Sequence, residues 1–277
     1  MCRLFGLSAG EHRVRATFWL LEAPDSLDRQ SHRNPDGCGI AGFDPTGRPE
    51  VYKAPVAAWA DPHFDAAARD LVSSTFVGHV RHASTGARTY ANTHPFAHQG
   101  VIFAHNGALS GLDHIEAELG EYRKVLHGET DSERLFALVL KQTAANDGDL
   151  GAGIAAAVTW LAAAVPILSL NMVVATSTDL WALRYPSTDE LYILDREAGG
   201  LHGDHHLQGV GQHGGIRVRS NDLRDQRSIV VASERIDEHP GWQLLAPGEL
   251  AHADRHLRID RRIVIDRQPT YPLLPPS

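Results

Sequence analysis

The sequence predicts an α+β fold in which helices flank two antiparallel sheets. Three observations predict it: strand-like segments fill the first third of the 277-residue chain, two helical segments follow one another over residues 130–164, and strand-like segments return after residue 170. Such segregation suits a layered α+β domain better than alternating β-α-β units. With 43% hydrophobic residues the chain can bury a large core, and nothing marks an internal linker. We expect one domain over residues 1–267 and an extended, proline-rich tail over residues 268–277.

The elements of the first half follow from local signals. Residues 1–7, 51–53, 73–80 and 101–104 have the apolar, β-branched and aromatic composition of strands. Residues 44–47 (DPTG) indicate a hairpin, and an Asp-Pro pair at residues 61–62 introduces a helical segment over residues 64–72. Asn106-Gly107 is typical of a tight turn between two strands.

The second half begins with a capping pattern. Thr130 and Glu133 are spaced as in a capping box, which predicts a helix to about residue 145, and a second helix is expected over residues 152–164. Residues 151–178 carry no charge, but Pro166 and the acidic flanks favour a buried helix leading into a buried strand over a membrane span. The remaining strands are predicted at residues 171–175, 180–185, 191–194, 228–232, 243–245 and 259–265.

Composition excludes several classes of function. The formal net charge is −8, from 26 basic and 34 acidic residues, and no run of Lys and Arg interrupts it, so nucleic acid is not an expected partner. Cys2 and Cys38 are the only cysteines and form no Cys-x-x-Cys pair, which favours a reducing compartment. No basic and apolar leader is evident, so we expect a cytoplasmic protein without membrane association.

Cys2 is the first candidate for catalysis. Removal of Met1 would place a thiol and a free α-amine on one residue at the start of a strand. A thiol titrates near pH 8.5 and an α-amine near 7.7–8.0, so this residue could supply both a nucleophile and a base. Chance occurrence of a Met-Cys start is the alternative.

Three other segments carry candidate binding groups. Arg81 ends a strand, where its guanidinium could hold a carboxylate with help from the Ser84 and Thr85 hydroxyls, although a surface ion pair is the alternative. Asn106 and Gly107 could form an oxyanion hole from a side-chain amide and a backbone N–H, with the hairpin turn as the alternative. Asp131 could bind an ammonium group or simply cap a helix.

Together these segments resemble the class II glutamine amidotransferases, which are N-terminal-nucleophile hydrolases. The resemblance extends over residues 1 to about 135 and is weaker at residues 228–234 and 242–250. Its motifs are MCRLFG at 1–6, NPDGCGI at 34–40, HVR at 79–81, NTHPF at 92–96, AHNG at 104–107 and TDSE at 130–133. It implies a four-layer αββα sandwich of two antiparallel sheets and a γ-glutamyl substrate.

The resemblance also implies roles for individual residues. Cys2 would be the nucleophile with its own amine as base, and Asn106 and Gly107 would form the oxyanion hole. Arg81 would bind the substrate carboxylate and Asp131 its ammonium group. His82 and Cys38 depart from the family's pattern, because related chains often have tryptophan at these positions.

The reaction expected from the resemblance is hydrolysis of the γ-amide of glutamine or of a γ-glutamyl compound through a Cys2 thioester. Two alternatives remain: a glutaminase subunit that passes ammonia to a separate synthase partner, and a glutamine-binding module in which Cys2 is inert. No cofactor is expected. A metal site at His202, His205, His206 and His213 is a weaker hypothesis, since no ligand spacing fixes its geometry. Residues 209–214 only superficially resemble a dinucleotide-binding motif.

Overall fold

Two antiparallel sheets form the centre of the structure, with helices on their outer faces. It is a computed structural model, and it describes residues 2–83, 86–199, 208–210, 217–219, 223 and 225–274. The sixteen strands in this part of the chain are β1 (Arg3–Ser8), β2 (Gly37–Phe43), β3 (Pro49–Ala54), β4 (Thr75–Arg81), β5 (Phe96–His98), β6 (Val101–Leu109), β7 (Pro166–Ala175), β8 (Leu180–Arg184), β9 (Tyr192–Arg196), β10 (Gln208–Val210), β11 (Arg217–Arg219), β12 (Ser228–Ala232), β13 (Gln243–Leu244), β14 (Glu249–Ala253), β15 (Ile259–Ile263) and β16 (Tyr271–Pro272).

The helices begin where side chains satisfy the first free backbone N–H groups. Thr130 caps the helix that begins at Asp131 by accepting from the Glu133 N–H. Asp149 caps the helix that begins at Leu150 by accepting from the Ala152 N–H. The α-helices are α1 (Leu27–Gln30), α2 (Pro62–Asp70), α3 (Leu112–Leu119), α4 (Asp131–Ala145) and α5 (Leu150–Ala164), with a π-helix at Phe18–Glu22 and 3-10 turns at Ala58–Ala60 and Gly120–Val125.

The strand order places β1 at the middle of the first sheet. That sheet runs β13-β9-β12-β1-β4-β2-β3, and the second runs β15-β14-β8-β7-β6-β5. The neighbours in both orders are antiparallel, and β16 adds a short parallel pairing to β7. In the β1–β4 register Arg3 lies opposite Val80, so Cys2 is brought to the end of β4 at Arg81.

Three apolar cores separate the layers. Leu4, Val77 and Val173 belong to the core between the two sheets. A second core, which contains Phe5 and Phe76, lies on the outer face of the first sheet against α1 and α2. A third covers the outer face of the second sheet with α3, α4 and α5. The result is the four-layer arrangement that the resemblance implied.

Most predicted elements are confirmed, and one is wrong. The uncharged stretch forms α5 followed by β7, and no helix in the described part of the chain is long and apolar enough to span a membrane. Asn106 and Gly107 do not form a hairpin turn. They lie inside β6, which continues to Leu109 and pairs with β7, with Asn106 opposite Asn171. Pairing with a distant strand therefore overrides the local turn preference.

Candidate functional site

The Cys2 thiol lies against the backbone of His82. Its Sγ accepts from the His82 N–H at 3.3 Å, and the thiol is 3.4 Å from the His82 carbonyl oxygen, to which it can donate. This contact follows from the antiparallel pairing of β1 with β4, which sets the first residue before β1 beside the first residue after β4. The nucleophile predicted from sequence is therefore held at the exit of the strand that carries Arg81.

The surroundings of Cys2 keep its thiol protonated. Burial raises the pKa of the Cys2 thiol above its usual value, and the negative charge of Asp131 acts in the same direction. The His82 N–H and the positive charge of Arg81 lower this pKa but do not outweigh burial. A thiol in this state becomes a nucleophile only if a base removes its proton. The same interactions show that Arg81 and Asp131 lie close enough for their charges to act on Cys2.

Arg81 is buried and directed at backbone carbonyls. It is 4% exposed, and it donates to the Ala87 oxygen at 3.0 Å and to the Gly86 oxygen at 3.2 Å. A guanidinium presents its N–H donors in a planar fork, so these two bonds help to fix its orientation. The Arg81 side chain faces inward, so the surface position considered as the alternative is not what the structure shows.

Asp36 connects both ends of the segment that carries Arg81. Its backbone N–H donates to the Arg81 carbonyl at 3.0 Å, and its Oδ2 accepts from the Ala83 N–H at 2.8 Å. Its Oδ1 pairs with Arg88 at 2.6 Å, and Asp36 itself is 4% exposed. Sequence reasoning assigned no role to this residue, although it lies within the quoted segment 34–40. The structure makes it a shared partner of Arg81, Ala83 and Arg88.

Asp131 joins the first turn of α4 to the end of β6. Its Oδ2 accepts from the Leu109 N–H at 2.8 Å and its Oδ1 from the Ser132 N–H at 2.7 Å. The Ser132 hydroxyl also lies 3.2 Å from Oδ1, but a carboxylate offers about four lone-pair sites, so capacity remains for a further donor such as an ammonium group.

Asn106 and Gly107 lie on β6, in the sheet that faces β1 and β4. Asn106 is 3% exposed, and among the described residues its side-chain amide makes no hydrogen bond. Gly107 is required by its surroundings, because a Cβ atom there would lie 1.9 Å from the Ser169 carbonyl oxygen. The β6–β7 register also shifts between Ala108 and Leu109. A side-chain amide and a glycine that packs closely on the neighbouring strand are thus adjacent on β6, and their role as an oxyanion hole stays a prediction.

His105 supports this strand from the other side. Its Nε2 lies 3.1 Å from the Ser169 carbonyl, which can only accept, so Nε2 carries the proton. Burial lowers the pKa of His105, although Asp131 opposes the shift, so Nδ1 is the acceptor for the Ser132 hydroxyl at 2.9 Å. Sequence reasoning missed this role of His105. Nothing in the sequence pointed to Ser169, which reaches the site only through the β6–β7 pairing.

Several residues with a predicted binding role are not among those that the structure describes. Ser84 and Thr85 lie outside the described residues, so their predicted part in substrate binding stays a prediction. The same holds for His202, His205, His206 and His213. Within the ranges that the structure describes, no three His, Cys, Asp or Glu side chains are grouped as a metal ion would require.

Comparison with protein families gives a match over almost the whole chain. Residues 1–261 match the family described as "Glutamine amidotransferases class-II". YafJ of Escherichia coli, which is named provisionally as a glutamine amidotransferase, is 27% identical over 265 residues, covering 90% of this chain and 96% of YafJ. DUG3 of Saccharomyces cerevisiae, also named provisionally in this way, is 32% identical over 161 residues, or 50% of this chain and 45% of DUG3.

The fold recurs in a solved structure of a longer enzyme. Glutamine phosphoribosylpyrophosphate amidotransferase from B. subtilis superimposes with a TM-score of 0.65 at 17% identity. The match covers 96% of this chain but 50% of that enzyme, so the present chain corresponds to about half of it. At this identity the likeness concerns the fold, with its two facing sheets.

Proposed function

This chain belongs to the class II glutamine amidotransferases, and from that premise we propose that it hydrolyses γ-glutamyl amide bonds with Cys2 as the nucleophile. The observation that carries the proposal is the position of the Cys2 thiol at the His82 peptide, within the electrostatic influence of both Arg81 and Asp131. A nucleophile beside one cationic and one anionic group suits a substrate with an α-carboxylate and an α-ammonium group. Glutamine and γ-glutamyl compounds carry both.

The first chemical step follows from the protonated thiol. After removal of Met1, the free amine of Cys2 would accept the thiol proton, and the sulfur would attack the γ-carbonyl carbon. The developing oxyanion would be stabilised by the Asn106 amide and the Gly107 N–H. The C–N bond then breaks, the leaving amine takes the proton from the Cys2 ammonium, and a γ-glutamyl thioester remains. Attack of water on that thioester releases glutamate and restores the thiol.

Recognition of the γ-glutamyl head group would use Arg81 and Asp131. The Arg81 fork is already oriented by the Gly86 and Ala87 carbonyls, and its positive charge would bind the substrate carboxylate. Asp131, with two backbone bonds in place, would accept from the substrate ammonium. Because both groups are fixed by backbone contacts, little ordering would be needed when the substrate binds.

A second function is favoured by one observation. The chain superimposes on about half of the B. subtilis amidotransferase, and half of the chain matches 45% of DUG3, so it resembles parts of longer proteins. A glutaminase that delivers ammonia to a synthase partner would use the same residues and the same thioester. The difference lies in where the ammonia goes.

Product analysis tests the proposal and separates the two functions. The purified protein is incubated with glutamine and with γ-glutamylphenylalanine, and glutamate, ammonia and phenylalanine are quantified. Hydrolysis predicts glutamate release from at least one substrate by the protein alone, and Cys2→Ala should abolish it. Turnover that persists in Cys2→Ala would refute the mechanism. Glutaminase activity that appears only with a second protein would favour the ammonia-donating function.

A further inference from the structure

Lys53 differs from the other two lysines of the chain. Lys124 pairs with Glu121 at 3.2 Å, and Lys141 pairs with Glu118. Lys53, on β3, makes no ion pair or hydrogen bond with any described residue. Its Nζ instead lies 4.8 Å from the centre of the Tyr90 ring and 5.0 Å from that of Phe96. The ammonium group therefore keeps its three N–H donors for another partner.

The Lys53 side chain lines a cavity of about 320 Å³. This volume is within the range of small-molecule sites, of roughly 300–1,000 Å³. Most of the wall is apolar or aromatic, with a few polar groups that could orient a ligand. The lining residues other than Lys53 are Tyr90, Ala91, Phe96, Ala97, His98, Val125, His127, Glu133 and Phe136.

The nearest carboxylate in the cavity is already engaged. Glu133 accepts from the His127 N–H at 2.8 Å and from the Gly128 N–H at 2.7 Å, one bond for each oxygen. Burial lowers the pKa of Lys53 to about 8, and the charge of Glu133 opposes this shift without cancelling it. The amine is therefore held in a site where its charge is poorly compensated. A ligand that brings a negative charge would correct this.

The cavity shares two chain segments with the candidate active site. Glu133 lies two residues after Asp131 in the first turn of α4, and Tyr90 follows Gly86 and Ala87, whose carbonyls hold Arg81. Asn92 fastens these segments together. Its Nδ2 donates to the Ala87 oxygen at 3.0 Å, and its Oδ1 accepts from the Glu129 N–H at 2.8 Å. Binding in the cavity would thus bear directly on both segments.

We propose that this cavity binds a carboxylate carried on an aromatic or branched apolar body, with Lys53 as its counter-ion. The carboxylate would meet the ammonium group, and the apolar body would pack on the Tyr90, Phe96 and Phe136 rings. Such a ligand has two sources. It could be the leaving group of a γ-glutamyl amino acid or peptide, which rests on the proposed function, or a separate effector, which does not.

Lysine NMR tests binding without any need for turnover. With three lysines, reductive methylation with ¹³C-formaldehyde gives few signals, and Lys53→Arg identifies the one from Lys53. Phenylacetate is added to about 20 mM, a concentration that detects millimolar affinity. We expect a saturable shift of the Lys53 signal and a rise in its pKa, with the Lys124 and Lys141 signals unchanged as internal controls. Benzyl alcohol, which has the ring without the charge, should produce no such rise.

An absent shift, or equal shifts of all three lysine signals, would overturn the proposal.

If the cavity binds phenylacetate, Lys53→Gln identifies the source of the carboxylate, with Lys124→Gln as the matched control. A leaving-group site predicts that Lys53→Gln raises KM for γ-glutamylphenylalanine by about tenfold and leaves KM for glutamine unchanged. An effector site predicts that both KM values stay unchanged while any effect of phenylacetate on glutamine hydrolysis is lost.

Discussion

The Cys2 thiol and the peptide of His82 are in direct contact, with Sγ 3.3 Å from the His82 nitrogen and 3.4 Å from its oxygen. Because His82 directly follows Arg81, one backbone turn positions both the proposed nucleophile and the proposed carboxylate-binding group. The contact also contributes to the pKa of Cys2, since the His82 N–H lowers it against the larger effect of burial. The geometry of residues 81–83 should therefore control activity.

Asp36→Asn tests this control. The substitution removes the charge that Asp36 presents to Arg88 and weakens its bond to the Ala83 N–H, and a buried, charged hydrogen bond of this kind contributes about 1.5–3 kcal/mol. We expect kcat/KM to fall by roughly 10- to 100-fold, mainly through KM, because Arg81 would be displaced. Steady-state kinetics on glutamine or the best γ-glutamyl substrate measures the effect.

Arg88→Gln is the matched control for Asp36→Asn. The Arg88 side chain is 65% exposed although its partner Asp36 is buried, and the amide of glutamine can still donate to Asp36 Oδ1. This variant should change kcat/KM by less than about fivefold. Equal losses in the two variants would show that Asp36 acts through its ion pair and not through the Ala83 backbone.

Arg81→Lys and Asp131→Asn test the head-group assignment. Each keeps part of the native contacts, since lysine keeps the charge and asparagine keeps an acceptor for the Leu109 N–H. Losing the guanidinium fork or the carboxylate charge should weaken binding of glutamine by about 2–4 kcal/mol, or roughly 30- to 1,000-fold in Kd. Calorimetry in the Cys2→Ala background measures binding without turnover. Arg123→Gln, at an exposed site, is the control, and unchanged affinity in both test variants would refute the pocket.

Gly107→Ala and Asn106→Ala test the oxyanion hole. A Cβ at residue 107 would lie 1.9 Å from the Ser169 oxygen, so the strand must shift and the N–H must move with it. Loss of one oxyanion donor typically lowers kcat by about 100- to 1,000-fold. Asn106→Ala should show the same loss in kcat without the steric clash, which separates catalysis from misfolding. Gly151→Ala, where the nearest atoms are 3.3 Å or more away, should retain activity.

His79→Phe should make the protein less sensitive to acid. The His79 and His94 rings lie 4.2 Å apart between the sheets, and among the described residues neither ring has a hydrogen-bond partner. Burial, with the charges of His105 and Arg81, lowers the pKa of His79 to about 3. Between about pH 3 and 6.5 the unfolded chain therefore binds more protons here, so stability falls as pH falls through this window.

Urea unfolding at pH 7.5 and 5.0 measures that sensitivity. His79 accounts for about 2 kcal/mol of the wild-type loss between these values, and His79→Phe should remove that part of the loss. At pH 7.5 the variant should be about as stable as the wild type, since replacing an unpartnered buried polar group by an apolar one is nearly neutral. His63→Phe, at an exposed position on α2, should keep the wild-type pH dependence. An unchanged pH dependence in His79→Phe would contradict the account.

The sequence predicted the structural features that depend on residues close together in the chain. The start of α4 was evident because Thr130 and Glu133 are neighbours in sequence, and the cap is made within one turn. The prediction of a turn at Asn106-Gly107 was wrong because the conformation of these residues depends on pairing with β7, more than 60 residues away. The anchoring of Ala83 by Asp36 could not be predicted for the same reason, since it joins residues 47 positions apart. The motif residues were identifiable, but the contacts that orient them were not.

Whether Cys2 is an activated nucleophile is measured by the intact mass of the protein before and after incubation with diazo-oxo-norleucine, a glutamine analogue that alkylates an activated thiol. We expect a protein that lacks Met1 and gains one adduct, mapped by peptide analysis to Cys2 and not to Cys38. The buried Cys38 serves as an internal control, because burial raises its pKa to about 12. A protein that keeps Met1 and takes no adduct would contradict the account and favour a binding module in which Cys2 is inert.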